Sequence, residues 1–358
     1  MPASHKVSTV FDDPNLIGSA GLVPVMRLAE RAGLHELLES QVSVGSPNAA
    51  AKTTGVIAGM LAGADSIDDL DVLRHGGMAK VFGGVRAPST YGTFLRAFTF
   101  GHVRQLDAVA ARTLTGFAGI VPRLLAGTEA MAFIDIDDTI RQVHGYQKQG
   151  VAYGYSGVKG VNAQLAALSS PTCAPVIVAA RLRKGNSISG HGAARLIGNA
   201  ISTAKAAGAT GKVMVRADSG SYRRDVIAGA LAAKVQFSVT TRMDPAVKKA
   251  VAAIPEDDWA TIKYPNAVWD EQEHRWISEA EIAETPFTRS PPTPRTGRCS
   301  AASLCAASSV STPPRRPGRA SCSACGATTG SSPTRRWPPS TRTRPTATTP
   351  SSSKSSPS

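Results

Sequence analysis

The sequence has few cysteines, and all but one of them lie near its end. Five occur among 358 residues, and only Cys173 precedes residue 299. Cys322 and Cys325 have the spacing of half a zinc site, but no second cysteine pair or histidine pair at ligand spacing accompanies them. The sequence therefore predicts neither a structural zinc site nor a disulfide scaffold.

Long apolar runs are also missing. No run approaches the roughly 20 residues that a helix needs to cross a bilayer. The N-terminus lacks the charged-then-apolar pattern of a secretory signal. We expect a cytoplasmic protein with no membrane partner.

Acidic residues are absent from the last part of the chain. No Asp or Glu follows Glu284, whereas 11 of the 40 Lys and Arg lie between Arg289 and Ser358. The preceding part holds 29 basic and 26 acidic residues, so the net charge of +14 arises mostly from the tail. The charge alone therefore does not indicate a polyanion partner for the rest of the protein.

The first third of the chain has a helical pattern. Apolar residues recur near the helical period from residue 14 onwards, which predicts an all-α N-terminal domain over residues 1–127. We expect Arg86, Arg96 and Arg104 near its exposed side. They make this domain a candidate for binding DNA, although arginines are also ordinary on helical surfaces.

From about residue 130 the pattern changes to short strands. Three strand-like runs are followed by alternating helical and strand-like segments, with glycine-rich turns between them. This order predicts an α/β domain over residues 128–288, with a mixed sheet flanked by helices.

Three carboxylates close the first strand of this domain, in the stretch FIDIDDTIRQ. Strand alternation places Asp135 and Asp137 on one face and Asp138 on the other, with Ile134 and Ile136. One interpretation is a solvated turn or a helix cap. The other is a divalent metal site, because like charges on one face repel unless a cation lies between them.

A fourth acid, Asp218, follows the apolar run of KVMVRADSGSY. It would lie at the carboxyl end of a strand, where ligands bind in α/β sheets. Alternatively, Asp218 caps a helix that begins near Tyr222. We expect the carboxyl groups of Asp137 and Asp218 within about 8 Å of each other, close enough to share a metal pair.

Four motifs in order carry a family resemblance: DIDDT, GYQKQGVAYGYSGVKG, LRKGN and RADSGSY. Together with PSTYGTFLRAF in the helical part, they resemble the DDE transposases of bacterial insertion sequences, specifically the family numbered thirteen-eighty. The resemblance extends to about Thr288. It implies a ribonuclease H-like fold, in which two Asp and one Glu hold two divalent ions. Asp137 corresponds to the first acid and Asp218 to the second, with Asp135 as an alternative metal ligand.

The implied cofactor is a pair of Mg²⁺ ions, with Mn²⁺ as a substitute. Two such ions about 4 Å apart activate the attacking oxygen and stabilise the leaving oxygen in DNA cleavage and joining. The implied partner is double-stranded DNA, at the element ends and at the target, bound by a homodimer in the nucleoid. Candidates for phosphate contact are Lys148, Lys159, Arg183 and Lys184.

The third acid of the family should lie beyond residue 288, where the chain has none. We expect residues 289–358 to be a disordered basic tail, either an interaction segment rich in Ser, Thr, Pro and Arg or an out-of-frame product. Residues 322–334 permit codons that, read one nucleotide earlier, spell a string resembling the family's missing C-terminal part. Residues 335–357 also permit such codons at the same offset. We interpret this as a frame change near Thr288.

Three functions are consistent with these observations. The first is a DDE transposase, inactive in this form because the third acid is missing. The second is a DNA-binding remnant that occupies the terminal repeats of the element and represses intact transposase. The third is an unrelated metal-dependent nuclease of the same fold.

Overall fold

The computed structural model describes residues 13–145, 148–262, 269–272, 274–276, 280–287, 302–309 and 321–326. The chain divides into two compact units, and all of these residues lie within the first, Met1–Thr328. The second unit, Thr329–Ser358, lies outside the described residues.

The first part of the chain is helical as far as Leu125. Pro88 begins one helix, where its fixed φ suits the first turn, and Thr99 caps the longest helix together with His102. Leu38 and Phe94 pack in one of its apolar cores. The helices are α1 Leu22–Arg31, α2 Leu34–Gln41, α3 Ala49–Leu61, α4 Pro88–Arg96 and α5 Phe100–Ile120.

A mixed sheet follows, with three more helices. The sheet has the order β2-β3-β1-β5-β6-β12-β11-β10-β7, with β4 paired to β3, and a separate hairpin joins β8 to β9. Its strands are β1 Met131–Gln142, β2 Ala152–Tyr153, β3 Lys159–Ser169, β4 Val176–Lys184, β5 Lys212–Ala217, β6 Gln236–Thr241, β7 Ala260–Ile262, β8 Trp269–Asp270, β9 Arg275–Trp276, β10 Ala280–Phe287, β11 Ala302–Ser309 and β12 Ser321–Gly326. The helices are α6 Ala193–Ala206, α7 Arg224–Ala232 and α8 Pro245–Ala252.

The two faces of the central strands differ. We call one the helix-covered face, because Ile134 of β1 and Val215 of β5 are fully buried there in a core shared with α6 and α7. We call the other the open face. Its residues, including Phe133, Asp135 and Asp137 of β1 and Arg216 of β5, are half-buried or exposed. The alternation predicted for β1 is thus confirmed.

The mixed sheet with flanking helices is confirmed. None of the described helices combines the length and hydrophobicity of a membrane span. The tail differs from the expectation of disorder in two segments, because 302–309 and 321–326 form strands that extend the sheet. Neither segment contains proline, so each can donate its backbone N–H groups to neighbouring strands. The rest of the predicted tail lies outside the described residues.

Candidate metal site

Asp137 and Asp218 occupy neighbouring positions on two parallel strands. β1 pairs with β5 up to Ile136 and Ala217, and the two acids are the next residue on each strand. Asp218 keeps an extended backbone, with φ −76° and ψ 178°. Because adjacent strands lie about 4.8 Å apart, the Cα atoms of the last paired residues, Ile136 and Ala217, are on the order of 5 Å apart, and each acid follows directly. Both side chains are exposed, at the point where the pairing of β1 with β5 ends.

Each of these carboxylates is oriented by a local backbone donor. The Oδ1 atom of Asp218 accepts a hydrogen bond from the backbone N–H of Ser221 at 3.1 Å, and Oδ1 of Asp137 accepts one from the N–H of Asp138 at 2.8 Å. Asp218 therefore caps the 3₁₀ turn Ser219–Ser221 rather than α7. The structure gives the Oδ2 atom of either acid no partner among the described residues, so capping leaves one oxygen of each for a ligand.

Asp135 is occupied by a different partner. Its Oδ1 and Oδ2 atoms accept from Nε and Nη2 of Arg216, both at 2.6 Å. The Arg216 guanidinium also lies 4.4 Å from the centre of the Phe133 ring. This bidentate pair engages both oxygens of Asp135, whereas Asp137 has no ion-pair partner among the described residues.

Asp138 lies on the helix-covered face. Its Oδ2 atom pairs with Nη2 of Arg183 at 2.8 Å, and the Arg183 side chain is only 3% exposed. Arg183 also donates to Oδ1 of Asn162 and to the carbonyl of His191. The third acid of the opening motif thus anchors Arg183, and through it the loop after β4, to β1.

The four lysines and arginines predicted to contact phosphate differ in accessibility. Lys148 and Lys184 are exposed, and Lys159 is half-buried and donates to the Gly145 carbonyl at 3.0 Å. Arg183 is buried, with its guanidinium committed to the contacts described above, so DNA contact by Arg183 would require the loop to move. Sequence reasoning did not single out Arg216, because its partner lies 81 residues earlier and only the β1–β5 register brings them together.

The donor set fits part of a magnesium site. Carboxylate oxygens are the hard ligands that Mg²⁺ prefers, and Asp137 and Asp218 supply two of them side by side. Within the described ranges, no group of three or more His, Cys, Asp or Glu side chains is arranged to hold a metal ion. The third carboxylate expected of a two-metal site is therefore not found among these residues.

Comparison with known proteins gives one family match. The family model described as Transposase DDE domain group 1 matches residues 2–283. No curated protein matches the chain. A cryo-EM structure of the piggyBac transposase synaptic complex with hairpin DNA matches with a TM-score of 0.37 and 10% identity, over 87% of this chain and 61% of that chain. The chain thus spans about three fifths of that transposase, and a TM-score this low does not establish a common fold.

Proposed function

Because the chain belongs to the family of DDE transposase domains of group 1, we propose that it is the transposase of a bacterial insertion sequence of the thirteen-eighty family. Such an enzyme cuts DNA at the element ends and joins them to a target. The proposal is carried by Asp137 and Asp218, which directly follow the last paired residues of the parallel strands β1 and β5. An exposed edge is open to a duplex, as this reaction requires.

The two acids would hold the divalent ions, with Mg²⁺ as the natural metal and Mn²⁺ as a substitute. The ions, when bound, supply activation of the attacking oxygen and stabilisation of the leaving oxygen. The protein holds the two carboxylates in place, because the backbone N–H groups of Ser221 and Asp138 donate hydrogen bonds to them. Arg216 neutralises Asp135, so the negative charge open to a cation is concentrated at Asp137 and Asp218.

The finer architecture belongs to the same proposal. Residues 128–288 would form an incomplete ribonuclease H-like catalytic domain, and residues 1–127 a helical domain that binds the element ends. A homodimer would assemble on the DNA. The order of β1, β3 and β5 supports the catalytic domain, because two acids on adjoining parallel strands suit a shared metal pair.

This form of the protein should be inactive. No Asp or Glu follows Glu284, so the third ligand that fixes the geometry for in-line attack would be lost by a frame change near Thr288. Small displacements of reacting groups cost large factors in rate. The missing acid also favours a second function, a remnant that occupies the terminal repeats and represses intact transposase without cutting.

The test compares two proteins on a duplex that carries the end of the element. One is the present chain, and the other is the product of the gene with the frame shifted by one nucleotide near codon 288. We expect Mg²⁺-dependent cleavage at the end by the repaired protein alone, and its loss in the repaired Asp218→Ala variant. End-specific cleavage by the present chain would place the whole catalytic set before residue 288 and contradict the account of the missing acid.

Metal-independent footprinting of the repeats by the present chain would favour the repressor function. Cleavage by the repaired protein at random sites, with no preference for the end, would favour a nuclease instead of a transposase.

A further inference from the structure

Four arginines, three of them on α5, β4 and α6 and one in the segment after β5, lie around the start of α6. They are Arg104 on α5, Arg181 on β4, Arg195 in the first turn of α6 and Arg223 after β5. We call them the arginine surface. Arg104 was among the arginines that made the helical domain a candidate for binding DNA, whereas the other three were not singled out from the sequence.

Two of these side chains pack on glycines of the loop that leads into α6. Nη1 of Arg181 donates to the Gly192 carbonyl at 3.3 Å, and a Cβ at Gly192 would lie 2.7 Å from that nitrogen. A Cβ at Gly190 would lie 2.0 Å from Cδ of Arg223. Both arginines therefore approach the loop closely because these positions have no side chain.

The surface has an excess of positive charge. Arg104 pairs with Asp107, the one acidic side chain found against this cluster among the described side chains. Burial lowers the pKa of Arg181, and repulsion from Arg104, Arg195 and Arg183 lowers it further. Arg195 is exposed, and α6 has neither an acid in its first turn nor a side-chain cap. The positive end of the helix dipole therefore adds to the arginine charges instead of offsetting them.

This surface borders the edge that carries Asp137 and Asp218. β1 and β4 are each antiparallel to β3, so they run in the same direction and end at the same edge. The loop after β4 also contacts the turn after β5: a Cβ at Gly220 would lie 3.4 Å from Oγ of Ser189 and 3.3 Å from Oδ2 of Asp218. Arg181 faces the helix-covered side and Asp137 the open face, so a duplex that contacts both the acids and the arginines would pass over this edge.

We propose that the arginine surface binds successive backbone phosphates of double-stranded DNA next to the strand held at Asp137 and Asp218. This inference rests on the proposed function and adds to it the face along which the duplex lies. Guanidinium groups match phosphate oxygens, and a polyanion with regularly spaced phosphates engages several arginines at once. The contacts are to the backbone, so they hold any duplex without regard to sequence.

The test uses the full chain and two matched variants of one helix. Arg195→Gln removes a charge at the start of α6, and Lys205→Gln removes one at its other end; both residues are exposed. The dependence of log K on log salt is measured by fluorescence anisotropy on an element-end duplex and on a scrambled duplex. The basic tail is the same in every protein tested, so differences between them report on the substituted residues.

We expect Arg195→Gln to reduce the magnitude of the slope of log K against log salt by about 0.9, the value for one phosphate contact, on both duplexes alike. The double variant Arg195→Gln with Arg223→Gln should reduce it by about 1.8, or two contacts. Lys205→Gln should leave the slope unchanged. Thermal denaturation of each variant checks that the fold is retained.

An equal effect of Arg195→Gln and Lys205→Gln would overturn the proposal, because binding would then follow net charge alone. No effect of the double variant would overturn it as well. The two proposals can also fail separately. If the variants show the predicted losses of salt dependence but the frame-repaired protein does not cleave DNA, the DNA-binding surface is upheld and the transposase assignment is wrong.

Discussion

The two faces of the central sheet use the same types of residue for opposite purposes. Each carries an Arg–Asp pair that starts from β1: Arg183 with Asp138 on the helix-covered face, and Arg216 with Asp135 on the open face. The Arg183 side chain is 3% exposed and the Arg216 side chain 43%. The buried guanidinium makes the Arg183–Asp138 pair a structural anchor. The Arg216–Asp135 pair is exposed to solvent and lies next to the candidate metal ligand Asp137.

The sharpest way to test this contrast is to remove each arginine. Arg183→Met should cost about 3 kcal/mol of unfolding free energy, because Asp138, whose side chain is only 18% exposed, would lose its ion-pair partner. Arg216→Met should cost at most about 1 kcal/mol, the usual range for an exposed pair. Urea denaturation of both variants measures the difference. Equal losses of unfolding free energy in the two variants would mean that the open face is also covered.

A second contrast lies within β3. Leu168 points to the helix-covered face and is fully buried, whereas Leu165 points to the open face and is half-buried. Leu168→Ala should cost roughly 2–4 kcal/mol of unfolding free energy through lost burial and a cavity. Leu165→Ala should cost less than half as much, since its surroundings can relax into solvent. Denaturant midpoints and slopes of the two variants check this order, and a reversal would contradict the assignment of the faces.

The smallest effect concerns the charge next to the acids. Arg216→Gln should tighten Mn²⁺ binding by a few fold, on the order of 1 kcal/mol, because it removes a positive charge near Asp137 and frees Asp135. Electron paramagnetic resonance of free Mn²⁺ in a titration measures the affinity. Arg141→Gln, which removes an exposed charge from the end of β1, serves as a control for general electrostatics. Weaker binding in Arg216→Gln would mean that Arg216 supports the metal site instead of competing with the cation.

Much of this contrast was predictable from local pattern. Alternation along FIDIDDT correctly separated Asp138 from Asp135 and Asp137, because the side-chain period of a strand is fixed by its backbone. The pairing of Asp135 with Arg216 was not predictable, since it depends on the register between β1 and β5. Burial of Arg183 likewise depends on how the loop after β4 folds back over it. The strands at 302–309 and 321–326 escaped prediction because their small residues have little apolar periodicity.

The central claim is that Asp137 and Asp218 together hold a divalent cation, and iron-directed cleavage of the polypeptide tests it without any catalytic activity. Fe²⁺ bound in place of Mg²⁺ generates radicals, with ascorbate and peroxide, that cut the chain next to its ligands. We predict cuts near residues 137 and 218, suppressed by excess Mg²⁺, retained in Asp135→Asn and lost together in Asp137→Asn or Asp218→Asn. Cuts that persist in both of those last variants, or that vanish only in Asp135→Asn, would contradict the account.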